Sequence, residues 1–244
     1  MPLSTIGFGA FKIGRNVGIK YPQDYVLPDE HHVEWLLNGV LDLGINLIDT
    51  APAYGQSEQL IGKFIAHRRD QYFLSTKVGE TFAVGQSTYD YSRQAIHLSI
   101  DRSRKHLASD VIDLAFIHSN GQDLHILQET DVVDALEELR DQGIVRAIGL
   151  SGKTVAGAEA ALAWADVLMV EYHLRDRSHE TVLAAAARAG IGVVGKKGLA
   201  SGHLPAPQAI NFVLANPAVT SLVIGGLNLE HITENVRQAQ SCSS

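Results

Sequence analysis

Short apolar runs alternate with amphipathic stretches along almost the whole chain. The runs have the length and branched residues of buried strands, whereas the stretches between them repeat apolar positions at helical spacing. Strands are predicted at residues 4–11, 45–49, 72–77, 111–118, 145–151, 167–172, 192–196 and 221–225. Helices are predicted near residues 31–43, 57–67, 92–107, 131–142, 155–165, 180–189, 207–215 and 230–239.

Strict alternation of strands with helices predicts parallel strands joined by crossover helices. Eight such repeats predict a closed α/β fold, the (β/α)8 TIM barrel, and we expect one such domain over residues 1–244. The alternative is an open doubly wound sheet, which needs a glycine-rich phosphate loop after its first strand. Gly7, Gly9 and Gly14 have the wrong spacing for that loop.

The predicted helix ends carry the residue types that such positions favour. Gly44, Gly143 and Gly190 each separate a predicted helix from the next strand, where a left-handed residue commonly ends a helix. Ser57 is of the type that caps helix N-termini, so we expect it to cap the helix that begins there.

Composition narrows the classes of partner. The 244 residues are 45% hydrophobic and carry a formal net charge of -7. Nucleic acids and anionic membranes attract basic surfaces, so we expect neither as a partner, although a small anionic ligand stays open. The single cysteine, Cys242, allows no internal disulfide. No apolar run reaches the about 18 residues of a spanning helix, and no leader is evident, so we expect a cytoplasmic protein.

Chemistry-bearing side chains gather at the ends of the predicted strands, where barrel enzymes place their sites. Asp49, Tyr54, Lys77 and His118 are the notable set. An ammonium beside a phenol lowers the tyrosine pKa from about 10, and a carboxylate keeps that lysine charged. A histidine can orient a substrate oxygen. Such a set can protonate a carbonyl oxygen, but a reduction would need a cofactor to supply hydride.

The segment 49–62 reads Asp-Thr-Ala-x-x-Tyr-Gly-x-x-Glu-x-x-x-Gly and resembles the signature of the aldo-keto reductases. The resemblance extends over nearly the whole chain. It implies that Tyr54 is the general acid/base, that Lys77 and Asp49 tune it, and that His118 orients the substrate. It also implies NADP(H) as cofactor, with NAD(H) possible, and a small carbonyl or alcohol substrate.

The same resemblance implies a cofactor-binding set. A turn after the first strand approaches the cofactor, the fifth strand ends at the nicotinamide carboxamide, the loop 194–202 lies along the pyrophosphate, and the last helix meets the adenine. The residues concerned are Gly9, Ala10, Phe11, Asp49, Ser151, Gly152, Met169, Lys196, Lys197, Leu199, Gly225, Gly226, His231, Glu234 and Asn235.

Several of these residues depart from the family pattern. Gly152 and Met169 stand where Asn and Gln commonly bind the carboxamide, and Lys196 stands where many members stack a tyrosine. Gly225 and His231 occupy the places of the cations that usually grip a 2′-phosphate. We therefore expect weak discrimination between NADPH and NADH, unless Lys196, Lys197 or Arg237 supplies the contact.

Two other functions stay open at this point. A barrel that binds nucleotide without turnover could serve as a regulatory subunit, but the complete set of four residues argues against it. A barrel isomerase or aldolase could use Lys77 or Lys196 as a Schiff base. The paired acid and tyrosine beside Lys77 favour the reductase. The eleven histidines show no metal-ligand spacing, so we expect no metal site.

Overall fold

The computed structural model describes residues 1–19 and 21–242, and the chain within them forms ten strands and ten α-helices. Strands β1 to β10 are, in chain order, Ile6–Gly9, Leu47–Asp49, Phe73–Val78, Glu80–Ala83, Gln86–Tyr89, Ile112–His118, Val145–Ser151, Val167–Glu171, Gly192–Lys196 and Ser221–Ile224. Helices α1 to α10 are Phe11–Gly14, Glu30–Asp42, Ser57–Ile65, Arg93–His106, Asp123–Glu129, Val132–Asp141, Val155–Ala161, Glu180–Ala189, Ala206–Leu214 and Leu229–Ser241.

Eight of the strands close into a parallel barrel, which confirms the predicted (β/α)8 fold. Following the chain, the barrel order is β1, β2, β3, β6, β7, β8, β9 and β10, and β10 pairs with β1. The remaining strands, β4 and β5, form an antiparallel hairpin outside the barrel. Because the barrel strands are parallel, their carboxyl ends meet at one rim, which therefore collects side chains from every part of the chain.

Two apolar layers hold the barrel together. The barrel interior contains a cluster of Leu47, Leu114, Phe116, Met169 and Val194. A larger cluster lies between the strands and the surrounding helices, whose inward faces carry the periodic apolar residues. Within residues 1–19 and 21–242, no helix combines the length and the apolar composition needed to span a membrane.

The helix ends follow the sequence prediction in part. Gly44, Gly143 and Gly190 are left-handed, with φ of 81°, 72° and 73°, as predicted. The expected N-cap role of Ser57 is wrong. Gln56 precedes the helix without a side-chain cap, and the Ser57 hydroxyl instead donates to the Ala10 carbonyl at 2.9 Å. Ser57 therefore ties helix α3 to the turn after β1.

Three elements were absent from the prediction: the short helices α1 and α5, and the hairpin β4–β5. Helix α1 has four residues, which is too short for a helical period to appear in the sequence. The hairpin strands have only four residues each and show no alternation of polar and apolar positions. Helix α1 and the hairpin directly follow strands β1 and β3, at the carboxyl-terminal rim of the barrel.

Candidate active site

The loop that carries Tyr54 is fixed by close backbone approach. Asp49 ends β2, and residues Pro52–Tyr54 form a single turn of 3-10 helix. A Cβ atom on Gly14 would lie 2.2 Å from the Tyr54 carbonyl oxygen and 2.3 Å from the Ser57 nitrogen. Gly14 thus lets helix α1 press directly on this loop. In addition, the Thr50 hydroxyl donates to the Ser57 hydroxyl at 2.9 Å.

A buried ion pair lies beneath this loop. The Lys77 Nζ atom donates to both carboxylate oxygens of Asp49, at 2.8 and 2.7 Å, and to the Thr50 carbonyl at 2.8 Å. The Ser75 hydroxyl donates to the same carboxylate. Burial alone would lower the pKa of Lys77, but Asp49 and Tyr54 raise it above its usual value. Lys77 is therefore a fixed cation at neutral pH.

Tyr54 stands above that cation. The Lys77 Nζ atom is 4.7 Å from the centre of the Tyr54 ring, and the Phe11 ring packs edge-on at 5.0 Å. Burial raises the pKa of Tyr54, and Lys77 works against that rise without cancelling it. The predicted lowering by Lys77 is therefore present, but burial outweighs it and the net pKa of Tyr54 is raised. The phenol is neutral at physiological pH, which is the proton-donating form.

His118 completes the predicted set. Its ring packs edge-on to the Tyr54 ring, with centroids 6.1 Å apart. Its Nδ1 atom lies 2.8 Å from Oε2 of Glu80. Burial lowers the pKa of His118, Glu80 acts in the opposite direction, and Lys77 and Lys196 lower it further. The imidazole is therefore neutral near pH 7.

These four side chains border one cavity of about 370 Å³ at the carboxyl-terminal rim. Its size falls within the roughly 300–1,000 Å³ of small-molecule sites. The predicted cofactor residues that line it are Gly9, Phe11, Asp49, Ser151, Met169, Lys196, Lys197, Leu199 and Gly225. Residues at the ends of strands from the first to the last of the barrel therefore border the same cavity.

The other predicted cofactor residues lie outside the cavity lining: Ala10, Gly152, Gly226, His231, Glu234 and Asn235. Ala10 is buried behind the wall, and the Gly152 carbonyl accepts a hydrogen bond from Lys196 at 2.7 Å. His231 and Glu234 are exposed on helix α10, with Asn235 beside them. A ligand that touched this helix and the cavity together would have to extend beyond the cavity.

One wall of the cavity is cationic. Lys196 donates to the Ser151 hydroxyl at 2.9 Å, and burial together with Lys197 and Lys77 lowers the pKa of Lys196 to about 7. Lys197 pairs with Glu171, and the Lys12 Nζ atom lies 4.0 Å over the Tyr21 ring. Lysines beside glycine-rich backbone suit the diphosphate of a dinucleotide, so the residues present fit a nicotinamide cofactor.

Sequence reasoning missed several lining residues. Arg15 and Tyr21 lie in the long connection between α1 and α2, where no hydrophobic period marks them. Glu80 begins the hairpin directly after β3. Its one sequence signal is the Gly79 that precedes it, because a glycine immediately after a strand indicates a tight change of direction. Across the described residues, no three His, Cys, Asp or Glu side chains lie together as metal ligands.

Comparison with known proteins confirms the resemblance. A model of the aldo/keto reductase family matches residues 5–208. The solved structure of a Pseudomonas aeruginosa protein assigned to the aldo-keto reductases has a TM-score of 0.92 and 39% identity, over 99% of this chain and 92% of that one. D-threo-aldose 1-dehydrogenase of a Pseudomonas species is 27% identical over 98% of this chain and 90% of that protein.

A further relative matches over a shorter stretch. D-arabinose 1-dehydrogenase of Saccharomyces cerevisiae is 34% identical over 51% of this chain, and the matched segment spans 38% of that protein. With a family model over most of its length, the chain belongs to the aldo/keto reductase family. It is an oxidoreductase of that type, and the family as a whole uses NAD(P)H.

Proposed function

We propose that the chain reduces an aldehyde or ketone, or oxidises the matching alcohol or aldose, with Tyr54 as the general acid/base. The observation that carries this proposal is the buried Lys77–Asp49 pair, which places a fixed cation 4.7 Å from the centre of a neutral tyrosine ring at the cavity wall. A cation there favours the phenolate that forms when the tyrosine gives up its proton.

Each residue then has a distinct task. Tyr54 donates its proton to the carbonyl oxygen as negative charge develops there. Lys77 stabilises the phenolate that is left, and Asp49 keeps Lys77 charged and oriented. His118 hydrogen-bonds the substrate oxygen and fixes its approach. The bound nicotinamide supplies hydride, which none of these side chains can provide.

We propose NADP(H) as the working cofactor, with NAD(H) accepted. Gly9, Phe11 and Gly225 would meet the cofactor at the cavity, Lys196 would lie near the carboxamide beside Ser151, and Lys197 and Leu199 would follow the pyrophosphate. Gly152, Met169, Ala10 and Gly226 would support this contact, and His231, Glu234 and Asn235 would face the adenosine end. Weak discrimination follows because Gly225 and His231 offer no fixed cation to a 2′-phosphate.

The substrate is proposed to be a small carbonyl or alcohol compound. The relatives named above include dehydrogenases of aldoses, and a cavity of about 370 Å³ suits a molecule of that size. We further propose that residues 1–244 form a single barrel domain and that the protein acts in the cytoplasm, without nucleic acid as a partner. The net charge of -7 and the exposed free thiol of Cys242 support these assignments.

The direct test follows NADPH absorbance with a panel of small aldehydes, ketones and aldoses, in both reaction directions. Separate titrations of NADPH and NADH, read by quenching of protein fluorescence, measure cofactor binding independently. Turnover of at least one compound supports the proposal. Tight nucleotide binding without turnover of any of them would contradict it and favour a regulatory subunit, and no binding would contradict both.

A further inference from the structure

Arg15 reaches the cavity from the connection that follows helix α1. Its Nε atom donates to the Val17 carbonyl at 2.8 Å, and its Nη1 atom donates to the Ala53 carbonyl at 3.0 Å. The Tyr25 hydroxyl in turn donates to the Arg15 carbonyl. Two backbone carbonyls thus fix the position of the guanidinium, and one of them belongs to the residue directly before Tyr54.

An aromatic ring fixes the plane of the guanidinium. The Arg15 Cζ atom lies 3.4 Å from the centre of the Phe82 ring and 5.4 Å from the centre of the Phe11 ring. Such contacts are typical of an arginine stacked on aromatic faces. The Tyr54 ring packs on the same Phe11 ring, with centroids 5.0 Å apart. The guanidinium and the proposed proton donor are therefore neighbours on one wall of the cavity.

Part of the guanidinium is left for a ligand. A guanidinium carries five N–H groups, and the two backbone carbonyls engage only two of those on Arg15. In the part of the chain that the structure describes, no acceptor takes a hydrogen bond from Nη2. Gly18, with φ of 66°, also lines the cavity, and a Cβ atom there would lie 2.9 Å from Nη2. The glycine therefore leaves room beside this nitrogen.

No described residue neutralises the charge of Arg15. Its side-chain hydrogen bonds go to backbone carbonyls, and Glu80 acts on it only at a distance. Glu80 is engaged elsewhere, because its Oε1 atom accepts a hydrogen bond from the Ser87 hydroxyl at 2.6 Å and its Oε2 atom lies 2.8 Å from Nδ1 of His118. Burial lowers the pKa of Arg15, but an arginine stays charged at neutral pH. Arg15 is therefore a cation without a paired carboxylate among the described residues.

The lining of the cavity is cationic, although the chain carries a formal net charge of -7. The basic lining residues are Lys12, Arg15, Lys77, Lys153, Lys196 and Lys197. The acidic lining residues among those described are Asp49 and Glu80, and Asp49 is already paired with Lys77. The lysines that follow β9 lie on the side proposed for the cofactor diphosphate. Arg15 instead lies against the Tyr54 loop and the hairpin after β3, which is the side left for a substrate.

We propose that Arg15 binds the carboxylate of the substrate while the carbonyl group of the same molecule lies at Tyr54, so that the preferred substrates are oxo acids. A guanidinium held in one orientation forms strong, directional hydrogen bonds with a carboxylate. A doubly charged phosphate would be repelled more strongly by the neighbouring Glu80 carboxylate, which favours a singly charged group. This inference rests on the proposed function, which it makes more specific.

The first test compares succinic semialdehyde with its methyl ester, which lacks the negative charge, and measures kcat and KM for each with saturating NADPH. The parent enzyme should prefer the acid, and equal kcat/KM values for the two compounds overturn the proposal without any variant. Arg15→Gln should reduce the preference by roughly 10- to 100-fold, mainly through KM, because a charge-assisted hydrogen bond is lost. Arg15→Lys keeps the charge but loses the planar fork, so its preference should lie between the other two.

A matched control removes a cation from the same rim of the barrel. Arg177 precedes helix α8, lies outside the cavity lining and pairs with Glu180 at 59% side-chain exposure. Arg177→Gln should leave the preference for the acid unchanged. Glyceraldehyde 3-phosphate and glyceraldehyde form a second pair of compounds, and Arg15→Gln should change their ratio less than it changes the ratio of acid to ester.

The second test needs no turnover. Saturation-transfer NMR titrations measure the binding of butyrate and of butyramide, which are similar in shape and differ in charge, to the protein with and without NADP⁺. Butyrate should bind more tightly than butyramide to the parent protein. Arg15→Gln should weaken butyrate binding by roughly tenfold or more and leave butyramide binding and the NADPH dissociation constant unchanged.

The outcomes separate the two proposals. Equal losses with the acid and the ester in Arg15→Gln would show that Arg15 only supports the fold, and a weakened NADPH affinity would assign it to the cofactor; either result overturns the inference. An Arg15-dependent preference for the phosphate without one for the acid overturns the carboxylate assignment. Turnover of no carbonyl compound contradicts the proposed function, and the butyrate titrations then judge Arg15 alone.

Discussion

Lys77→Met tests whether the buried ion pair contributes as much to the stability of the fold as its geometry indicates. The substitution leaves Asp49, a residue 3% exposed, with the Ser75 hydroxyl but without its counter-cation. Three charge-assisted contacts of about 1.5–3 kcal/mol each are removed, partly offset because the lysine no longer has to be desolvated. Removal of one partner of a buried pair typically costs about 3–5 kcal/mol, and we expect a loss of that order in the free energy of unfolding.

The assay is urea unfolding followed by far-UV circular dichroism, with the slope of the transition checked for constancy. The matched control is Lys63→Met, because Lys63 pairs with Glu30 on the surface at 54% and 64% side-chain exposure. That exposed pair should contribute less than about 1 kcal/mol. The double variant Asp49→Asn/Lys77→Met removes both charges and should recover part of the lost stability.

Catalysis should respond differently from stability. Lys77→Met and the double variant should both lose carbonyl reduction, and any surviving pH profile should move upward, because Tyr54 loses the cation that favours its ionised form. An unfolding free energy for Lys77→Met within about 1 kcal/mol of the parent would refute this contribution to stability, since so small a loss is typical of exposed pairs. A double variant that is no more stable than Lys77→Met would refute it as well.

Three further predictions concern other parts of the molecule. NADPH and NADH should bind within about tenfold, or 1.4 kcal/mol, of each other. His231→Arg should tighten NADPH alone in fluorescence titrations, and equal or absent responses would refute the placement of the 2′-phosphate. Glu80 has a pKa lowered from 4.5 to about 2, so it stabilises the fold above pH 4.5 and this contribution is lost as pH falls toward 2. Acid unfolding of Glu80→Gln should therefore be less steep in that window, and identical curves would contradict the ionised Glu80. Gly14→Ala should lower the free energy of unfolding by about 1–3 kcal/mol and impair turnover, because its Cβ would clash with the backbone of the Tyr54 loop. Unchanged urea unfolding and turnover would contradict this prediction, because they would show that the loop can move without cost.

The barrel could be predicted because its repeating signal is long. Strands β6 and β7 span seven residues each and are mostly buried, and the alternation with helices extends over the chain. The clustering of Asp49, Lys77 and His118 could be predicted because they sit at or next to the ends of such strands, whose positions the fold dictates. Tyr54 follows from the fixed spacing within the 49–62 motif.

Other features depend on contacts that no periodicity encodes. Glu80 reaches His118 through a hairpin of four-residue strands, and Ser57 bonds to a carbonyl 47 residues away in the chain. The net direction of the Tyr54 pKa depends on how deeply the ring is buried, which the spacing of Tyr54 and Lys77 does not specify. Burial and long-range approach are properties of the folded chain rather than of a local motif.

Tyr54→Phe tests the central claim most directly, because it removes only the hydroxyl that is proposed to protonate the substrate. NADPH-dependent turnover of the best carbonyl substrate is measured at saturating concentrations, alongside the NADPH dissociation constant and the circular dichroism spectrum. The matched control is Tyr72→Phe, because Tyr72 lies just before β3, at the end of that strand away from Lys77. We predict a fall in kcat of about 10²–10⁴-fold for Tyr54→Phe, with cofactor binding and fold retained. Turnover close to that of Tyr72→Phe would contradict the proposed mechanism.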